Sequence, residues 1–153
     1  MNATDLLVQD HEKLKKLLSE ITDTTERAVK KRTELLAQIE AELHAHTQIE
    51  EEDFYPAYKK AGGKDETKMY HEAKEEHRAV EALVLPDLKK TDVGTVEFSG
   101  RIKVLKEMLE HHIEEEESEM FPEAEKILNK QELAELGERM EKKKKMLLAA
   151  TRH

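Results

Sequence analysis

The 153-residue chain contains no cysteine, so it can form no disulfide, thiolate metal site or cysteine-bound iron–sulfur cluster. Any metal that it binds must therefore be held by nitrogen and oxygen ligands. Glycine occurs 5 times, proline occurs 3 times, and aromatic residues make up only 4% of the chain. This scarcity argues against a sheet protein and, together with 40% charged residues, favours long amphipathic helices in an all-α fold.

Long hydrophobic runs are also missing. No stretch approaches the ~18 apolar residues of a membrane span, and the N-terminus lacks the basic and apolar regions of an export signal. The formal net charge is −9, and basic residues are interleaved with acidic ones along most of the chain, so no nucleic-acid-binding patch is evident. The sequence predicts a cytoplasmic protein of single-domain size with no membrane or nucleic-acid partner. It leaves the oligomeric state open.

The feature that the sequence does contain is a repeat. The stretch His46-Thr-Gln-Ile-Glu50 returns later in the chain as His112-Ile-Glu-Glu-Glu116, and each copy has a proline ten residues after its histidine. Four residues of an α-helix turn the chain by about 400° and advance it ~6 Å. The histidine and the glutamate of each copy are therefore predicted to lie on one helix face.

Two further histidines follow the same offset. His11 is separated from His77 by the same distance along the chain as His46 from His112, and His11 lies in an apolar stripe with Leu7 and Leu14. The separation between the two copies along the chain exceeds the roughly 20–50 residues of solenoid repeats, and two copies are too few for a repeat array. The pattern instead favours two helical hairpins that face each other.

Apolar stripes and breaker residues divide the chain into five predicted helices. Asn2 or Thr4 can cap the first helix, and Asn129 can cap the last one. Because the connections are short, neighbouring helices are expected to be antiparallel. The prediction is an antiparallel up-and-down four-helix bundle over residues 1–128, with an additional C-terminal helix over 129–153 that packs on the bundle or forms a tail.

Four histidines and two glutamates share the predicted inward faces. A lone histidine on an apolar face is usually a hydrogen-bonded core residue, but two buried glutamates without an inward Lys or Arg would be costly in a metal-free core. Facing bundle helices can build dinuclear sites with ions ~3.5–4 Å apart. Imidazole with bridging carboxylate favours iron or manganese over zinc, and iron is the first choice. The candidate metal ligands are His11, His46, Glu50, His77, His112 and Glu116.

Residues outside the inward faces are predicted to be incidental, since a run of charges is usually a solvated helix face. Pro56 is expected to kink the second helix one turn beyond Glu50. The residues predicted to lie at the surface or to play no part in the site are Glu51, Glu52, Glu114, Glu115, Glu117, His44, His71, His111 and His153.

The sequence resembles the hemerythrin-like proteins, also called the HHE cation-binding domain, over about residues 1–128. The resemblance rests on the order H…HxxxE…H…HxxxE and on an aromatic-proline pair after each HxxxE, Tyr55-Pro56 and Phe121-Pro122. It implies a four-helix bundle with a metal-binding site of two non-haem iron ions and an oxo or hydroxo bridge. On this resemblance the terminal ligands would be His11, His46, His77 and His112, and the bridging ligands would be Glu50 and Glu116.

The chain differs from the oxygen-carrying members of that family at two points. Those proteins have a fifth histidine where this chain has Ala73, and they use HxxxxD where this chain has its second HxxxE. The pattern is closer to a branch for which catalase-like disproportionation of hydrogen peroxide has been described, so the resemblance implies a di-iron protein that reacts with peroxide or O2. The alternative is a non-enzymatic protein that binds or senses O2, NO or iron. Tyr55, Tyr70 or His71 could supply an extra ligand, although core tyrosines with satisfied hydroxyls are the alternative.

Overall fold

The computed structural model describes residues 1–151, so His153 lies outside the described residues. Within this range the chain is all-α, as predicted, and no residue is in a strand. Five long helices follow one another with short connections. They are α1 (Ala3–Thr22), α2 (29–61), α3 (64–90), α4 (96–127) and α5 (Lys130–Thr151).

Three of these helices contain a π-helical turn of five residues shortly before a proline. Proline has no amide hydrogen and its ring crowds the carbonyl four residues back, so the helix widens by one residue instead of ending. In α2 the amide of Tyr55 donates to the carbonyl of Glu50, five residues earlier. The kink predicted at Pro56 therefore takes the form of a wide turn that begins at Glu50. The successive segments are Val29–Ile49, Glu50–Phe54 and Tyr55–Ala61 in α2, Lys64–Ala79, Val80–Val84 and Leu85–Lys90 in α3, and Val96–Glu115, Glu116–Met120 and Phe121–Ile127 in α4.

Both predicted N-caps are present. The Asn2 side chain accepts a hydrogen bond from the amide of Asp5 at 2.9 Å, so Asn2 caps α1. At α5 the amide of Glu132 donates to Asn129 at 2.8 Å, and the amide of Asn129 donates to the Glu132 carboxylate at 3.1 Å. This reciprocal pair forms a capping box that fixes the start of α5.

Contacts near the helix ends show how the helices run. Arg32, at the start of α2, donates to Thr24 beyond the end of α1 and to Ser99 near the start of α4. Tyr58, at the end of α2, donates to Glu123 near the end of α4. Since starts meet starts and ends meet ends, α2 and α4 run in the same direction, and α1 returns alongside them.

Two apolar clusters fill the interior, and a polar layer separates them. Along α1 the buried His11 lies between Leu7 of one cluster and Leu14 of the other. His77 of α3 likewise lies between Ala73 and Val80. The candidate ligands thus occupy one level of the bundle, shielded from solvent by apolar side chains above and below.

The fifth helix covers the side of the bundle formed by α1 and α2. Its buried Leu133, Leu136 and Met140 join the apolar cluster that contains Leu7. The boundary proposed between residues 128 and 129 stays a prediction.

Among residues 1–151, no helix has both the length and the apolar composition that a membrane span requires.

Candidate metal centre

All six predicted ligands are buried, and each of the first four helices contributes at least one of them. The imidazoles lie in two pairs. We call His11 and His46 the first pair and His77 and His112 the second pair. Ring centroids are 4.9 Å apart in the first pair and 4.7 Å apart in the second.

Glu50 connects the two pairs. Its Oε1 lies 3.1 Å from Nε2 of His46 and 3.1 Å from Nε2 of His77. One carboxylate oxygen therefore faces one imidazole of each pair.

Glu116 repeats this arrangement from the opposite helix. Its Oε1 lies 3.1 Å from Nε2 of His11 and 3.4 Å from Nε2 of His112. Together the six side chains form two groups of donor atoms, within each of which all atoms lie within 4.8 Å of one another. The groups are His11, His46, Glu50 and Glu116 on one side and Glu50, His77 and His112 on the other.

Unsatisfied polar atoms in this layer fit a cation. The buried Glu50 Oε2 and His46 Nε2 have no hydrogen-bond partner. His46 Nε2 does lie close to Glu50 Oε1, but that contact lacks hydrogen-bond geometry. Within residues 1–151, neither Glu50 nor Glu116 pairs with a Lys or Arg. Buried carboxylates are costly unless protonated imidazoles or a metal ion neutralise them, and imidazole nitrogens with carboxylate oxygens suit a transition metal. The donor set is therefore suited to metal binding.

Each imidazole uses its other nitrogen for a hydrogen bond to a carboxylate. Such a bond fixes the ring orientation and leaves Nε2 free to coordinate. The Nδ1 distances are 2.7 Å for His11 to Glu117, 2.9 Å for His46 to Asp10, 2.9 Å for His77 to Glu51 and 2.7 Å for His112 to Glu76.

The prediction that Glu51 and Glu117 belong to the solvated surface was wrong. Both are partly exposed, but each reaches across to an imidazole on a neighbouring helix. Helical periodicity gives only the direction in which a side chain points around its own helix axis. Side chains at the edge of the inward face can therefore point to an adjacent helix rather than to solvent. Asp10 and Glu76 were missed altogether. The repeat itself could have found all four, since Asp10 and Glu76 are related by the same offset as His11 and His77, and so are Glu51 and Glu117.

The carboxylates change the proton affinity of the rings. Burial alone would lower the pKa of His46, but Glu50 and Asp10 raise it well above its usual value. For His77, hydrogen bonds to Glu50 and Glu51 outweigh burial and raise the pKa to about 9. Burial would raise the pKa of Glu50, yet the neighbouring His46 lowers it well below the usual range. The carboxylates thus favour a positive charge at the imidazoles, which a proton or a metal ion can supply.

Tyr55 reaches the same layer. Its hydroxyl donates to Glu116 Oε2 at 2.7 Å and lies 3.2 Å from Nε2 of His77 and 3.3 Å from Nε2 of His112. Burial and the two glutamates raise the pKa of the phenol well above its usual value, so the hydroxyl keeps its proton. At the equivalent position of the second copy, Phe121 stacks on His11 with centroids 5.6 Å apart. The second pair therefore has a hydroxyl group that the first pair lacks.

A cavity of about 110 Å³ adjoins the second pair. Its lining extends from the exposed Glu81 and His111 to the buried His77 and His112. Since a water molecule occupies about 30 Å³, the cavity has room for a small ligand.

The remaining candidates are not brought to the layer. His44 and His71 are exposed, as predicted. His111 is exposed too, and its Nε2 lies 2.7 Å from Glu115 at the surface. Tyr70 packs against the ring of Tyr55, with centroids 6.2 Å apart.

Two known proteins are similar to this chain. The crystal structure of a hemerythrin HHE cation-binding-domain-containing protein from Mycobacterium kansasii superposes with a TM-score of 0.85 and 29% identity, over 98% of this chain and 89% of that one. A protein of Nostoc sp. named DNA nickase is 30% identical over 122 residues, which are 79% of this chain and 33% of that protein. The chain thus spans about one third of the length of this relative.

The family comparison agrees with the geometry. The model of the hemerythrin HHE cation-binding domain matches residues 2–124, which include all six predicted ligands and the four carboxylates that orient the imidazoles. The chain belongs to the hemerythrin HHE cation-binding domain family.

Proposed function

We propose that His11, His46, Glu50, His77, His112 and Glu116 bind two iron ions, and that the protein reacts there with hydrogen peroxide or O2. The observation that carries the proposal is that each glutamate faces one imidazole of each pair. A carboxylate in that position can bridge two ions, as in other dinuclear bundle sites.

The proposed reaction is the catalase-like disproportionation of two hydrogen peroxide molecules to two water molecules and O2. A pair of bound iron ions supplies two-electron redox chemistry. The protein supplies the imidazoles and carboxylates, the apolar clusters that exclude water, and a proton at Tyr55 Oη. The Tyr55 hydroxyl donates to Glu116 Oε2, with 2.7 Å between the two oxygens, and lies beside the second pair, where it could supply a proton to peroxide.

The position of the cavity supports reaction at the second pair. Its lining extends from the surface to His77 and His112. We therefore propose that small ligands approach the second pair first.

Metal analysis and an oxygen electrode on the same sample test this proposal. The purified protein is expected to hold about two irons per chain and to release O2 from added peroxide in proportion to its iron content. One ion per chain, or zinc alone, would contradict the di-iron site. Full iron content without O2 release would favour the alternative, a protein that binds or senses O2, NO or iron without turnover.

A further inference from the structure

One of the four carboxylates that orient the imidazoles differs from the rest. Asp10, which accepts from His46 Nδ1, is 2% exposed, whereas Glu117, Glu51 and Glu76 are 28% to 31% exposed. Asp10 also contacts Lys144 of α5 through its second oxygen. Within residues 1–151, none of the other three contacts a Lys or Arg.

The fifth helix places Lys144 there through its buried face. Lys144 follows Met140 by four residues on the stripe that begins at Leu133, so it points toward α1. Gly137 permits the close approach, because a Cβ at this position would lie 2.6 Å from the carbonyl carbon of Asn2. The side chain of Lys144 is 16% exposed, in contrast with 78% for the neighbouring Lys145.

A second contact joins the same helix to α2, which carries His46 of the first pair. Lys143 Nζ lies 3.1 Å from Asp53 and 3.5 Å from Glu52, both in the π-helical turn that begins with Glu50. The fifth helix therefore contacts both the partner of His46 and the turn that carries Glu50. It makes no such contact with the partners of the second pair in the part of the chain that the structure describes.

We infer that Lys144 is a positioning residue of the metal centre. Lys144 holds Asp10 in place, so that His46 retains the ion of the first pair more firmly than the second pair retains its own. This inference rests on the proposed two-ion site. A buried carboxylate without counter-charge would be drawn toward solvent, and His46 would then lose the hydrogen bond that orients its ring. The lysine supplies that counter-charge from a helix outside the repeat.

Cobalt provides the test, because its absorption and NMR signals report on individual ligands. We would load the protein with Co²⁺ alone and follow release to a chelator by stopped-flow absorption. The wild-type protein is expected to release about two ions in two phases. Lys144→Gln should accelerate the slower phase by about 10- to 100-fold, the usual effect of losing an outer hydrogen bond, and leave the faster one unchanged. Lys145→Gln is the matched control, and Lys144→Arg should restore slow release.

Proton NMR of the Co²⁺ form gives a readout that a purely structural role would not move. The Nδ1–H of each bound histidine should give a shifted, exchangeable signal, and Lys144→Gln should alter one of them. Asp10→Asn should have the same effect on the slow phase, and the double variant should add nothing, since both act through one hydrogen bond.

Three results would overturn the inference. Lys144→Gln could match Lys145→Gln in both Co²⁺ release and NMR signals, or it could accelerate both release phases together. The effects of Asp10→Asn and Lys144→Gln on the slow phase could also add in the double variant. Two Co²⁺ per chain with any of these results would leave the proposed site intact. A wild-type protein that binds only one Co²⁺ would contradict the proposed site and the inference together.

Discussion

The two imidazole pairs come from copies of one sequence unit, yet their surroundings differ. An aromatic ring stacks on one imidazole of each pair, Phe121 on His11 and Tyr55 on His77, but the partner of His46 is also buried beneath α5. The second pair has the hydroxyl of Tyr55 within 3.3 Å and adjoins a cavity of about 110 Å³. The repeat thus supplies equivalent donor atoms, and we propose that a few unequal residues around them separate a retaining position from a reacting one.

The largest effect should come from the carboxylates that both pairs share. Glu116→Ala removes the oxygen that faces His11 and His112, so we expect the iron content to fall from about two ions per chain to about one or less. Elemental analysis after gel filtration measures this. Glu114→Ala, two residues earlier and exposed, is the control and should keep full iron content. Equal loss in both variants would show that the bridging role of Glu116 is wrong.

Removing the hydroxyl of the second pair should have the next largest effect. Tyr55→Phe makes this side like the Phe121 side and deletes the donor to Glu116 Oε2, so O2 release from peroxide should slow by about 10²-fold at unchanged iron content. Tyr58→Phe is the matched control, because its hydroxyl contacts Glu123 and Met69 outside the site. Wild-type rates in Tyr55→Phe would exclude proton donation by this residue.

A fifth imidazole should change stability and turnover together. Ala73 is 4% exposed, and the cavity beside it measures only about 10 Å³, so Ala73→His must displace neighbours such as Met69 and Met120. We expect the free energy of unfolding to fall by ~1–3 kcal/mol and peroxide turnover to decrease at retained iron content. Denaturant titration and the oxygen electrode measure the two effects. Turnover equal to that of the parent at full iron loading would contradict reaction of peroxide at the second pair.

The smallest effect should come from narrowing the cavity. Val80 lines it, and the equivalent residue of the first copy is the larger Leu14. Val80→Leu should raise the KM for peroxide by about 3-fold, on the basis of one added methylene, without loss of iron. Val104→Leu, at an exposed position of α4, is the control. A KM that does not change would indicate that peroxide reaches the site by another route.

The burial of the six candidate ligands in one layer was predictable, because helical spacing and the constant offset between the two copies determine the positions of single side chains. His46 and Glu50, four residues apart, had to share a face, and their repeat had to face them in a two-hairpin bundle. The helix caps at Asn2 and Asn129 were predictable for the same local reason.

The features that distinguish the pairs were harder to predict, because they depend on packing between helices. Glu51 reaches His77 sideways across a helix interface, which a single helix pattern does not report. Lys144 has no counterpart in the repeat, and its contact with Asp10 depends on how closely Gly137 lets α5 approach α1. Tyr55 was a candidate from the sequence, but only the packed structure separates it from Tyr70.

Mössbauer spectroscopy of the ⁵⁷Fe-loaded protein tests the central claim most directly, because it counts iron sites and reports on each one's ligands. Two unequal iron positions with shared carboxylates predict two quadrupole doublets of equal area from a magnetically coupled pair, at about two irons per chain. Replacing Tyr55 by Phe should shift the doublet of the second-pair iron more than the other, which changes only through the shared Glu116. A single uncoupled iron signal, or iron content of about one per chain at saturation, would contradict the account.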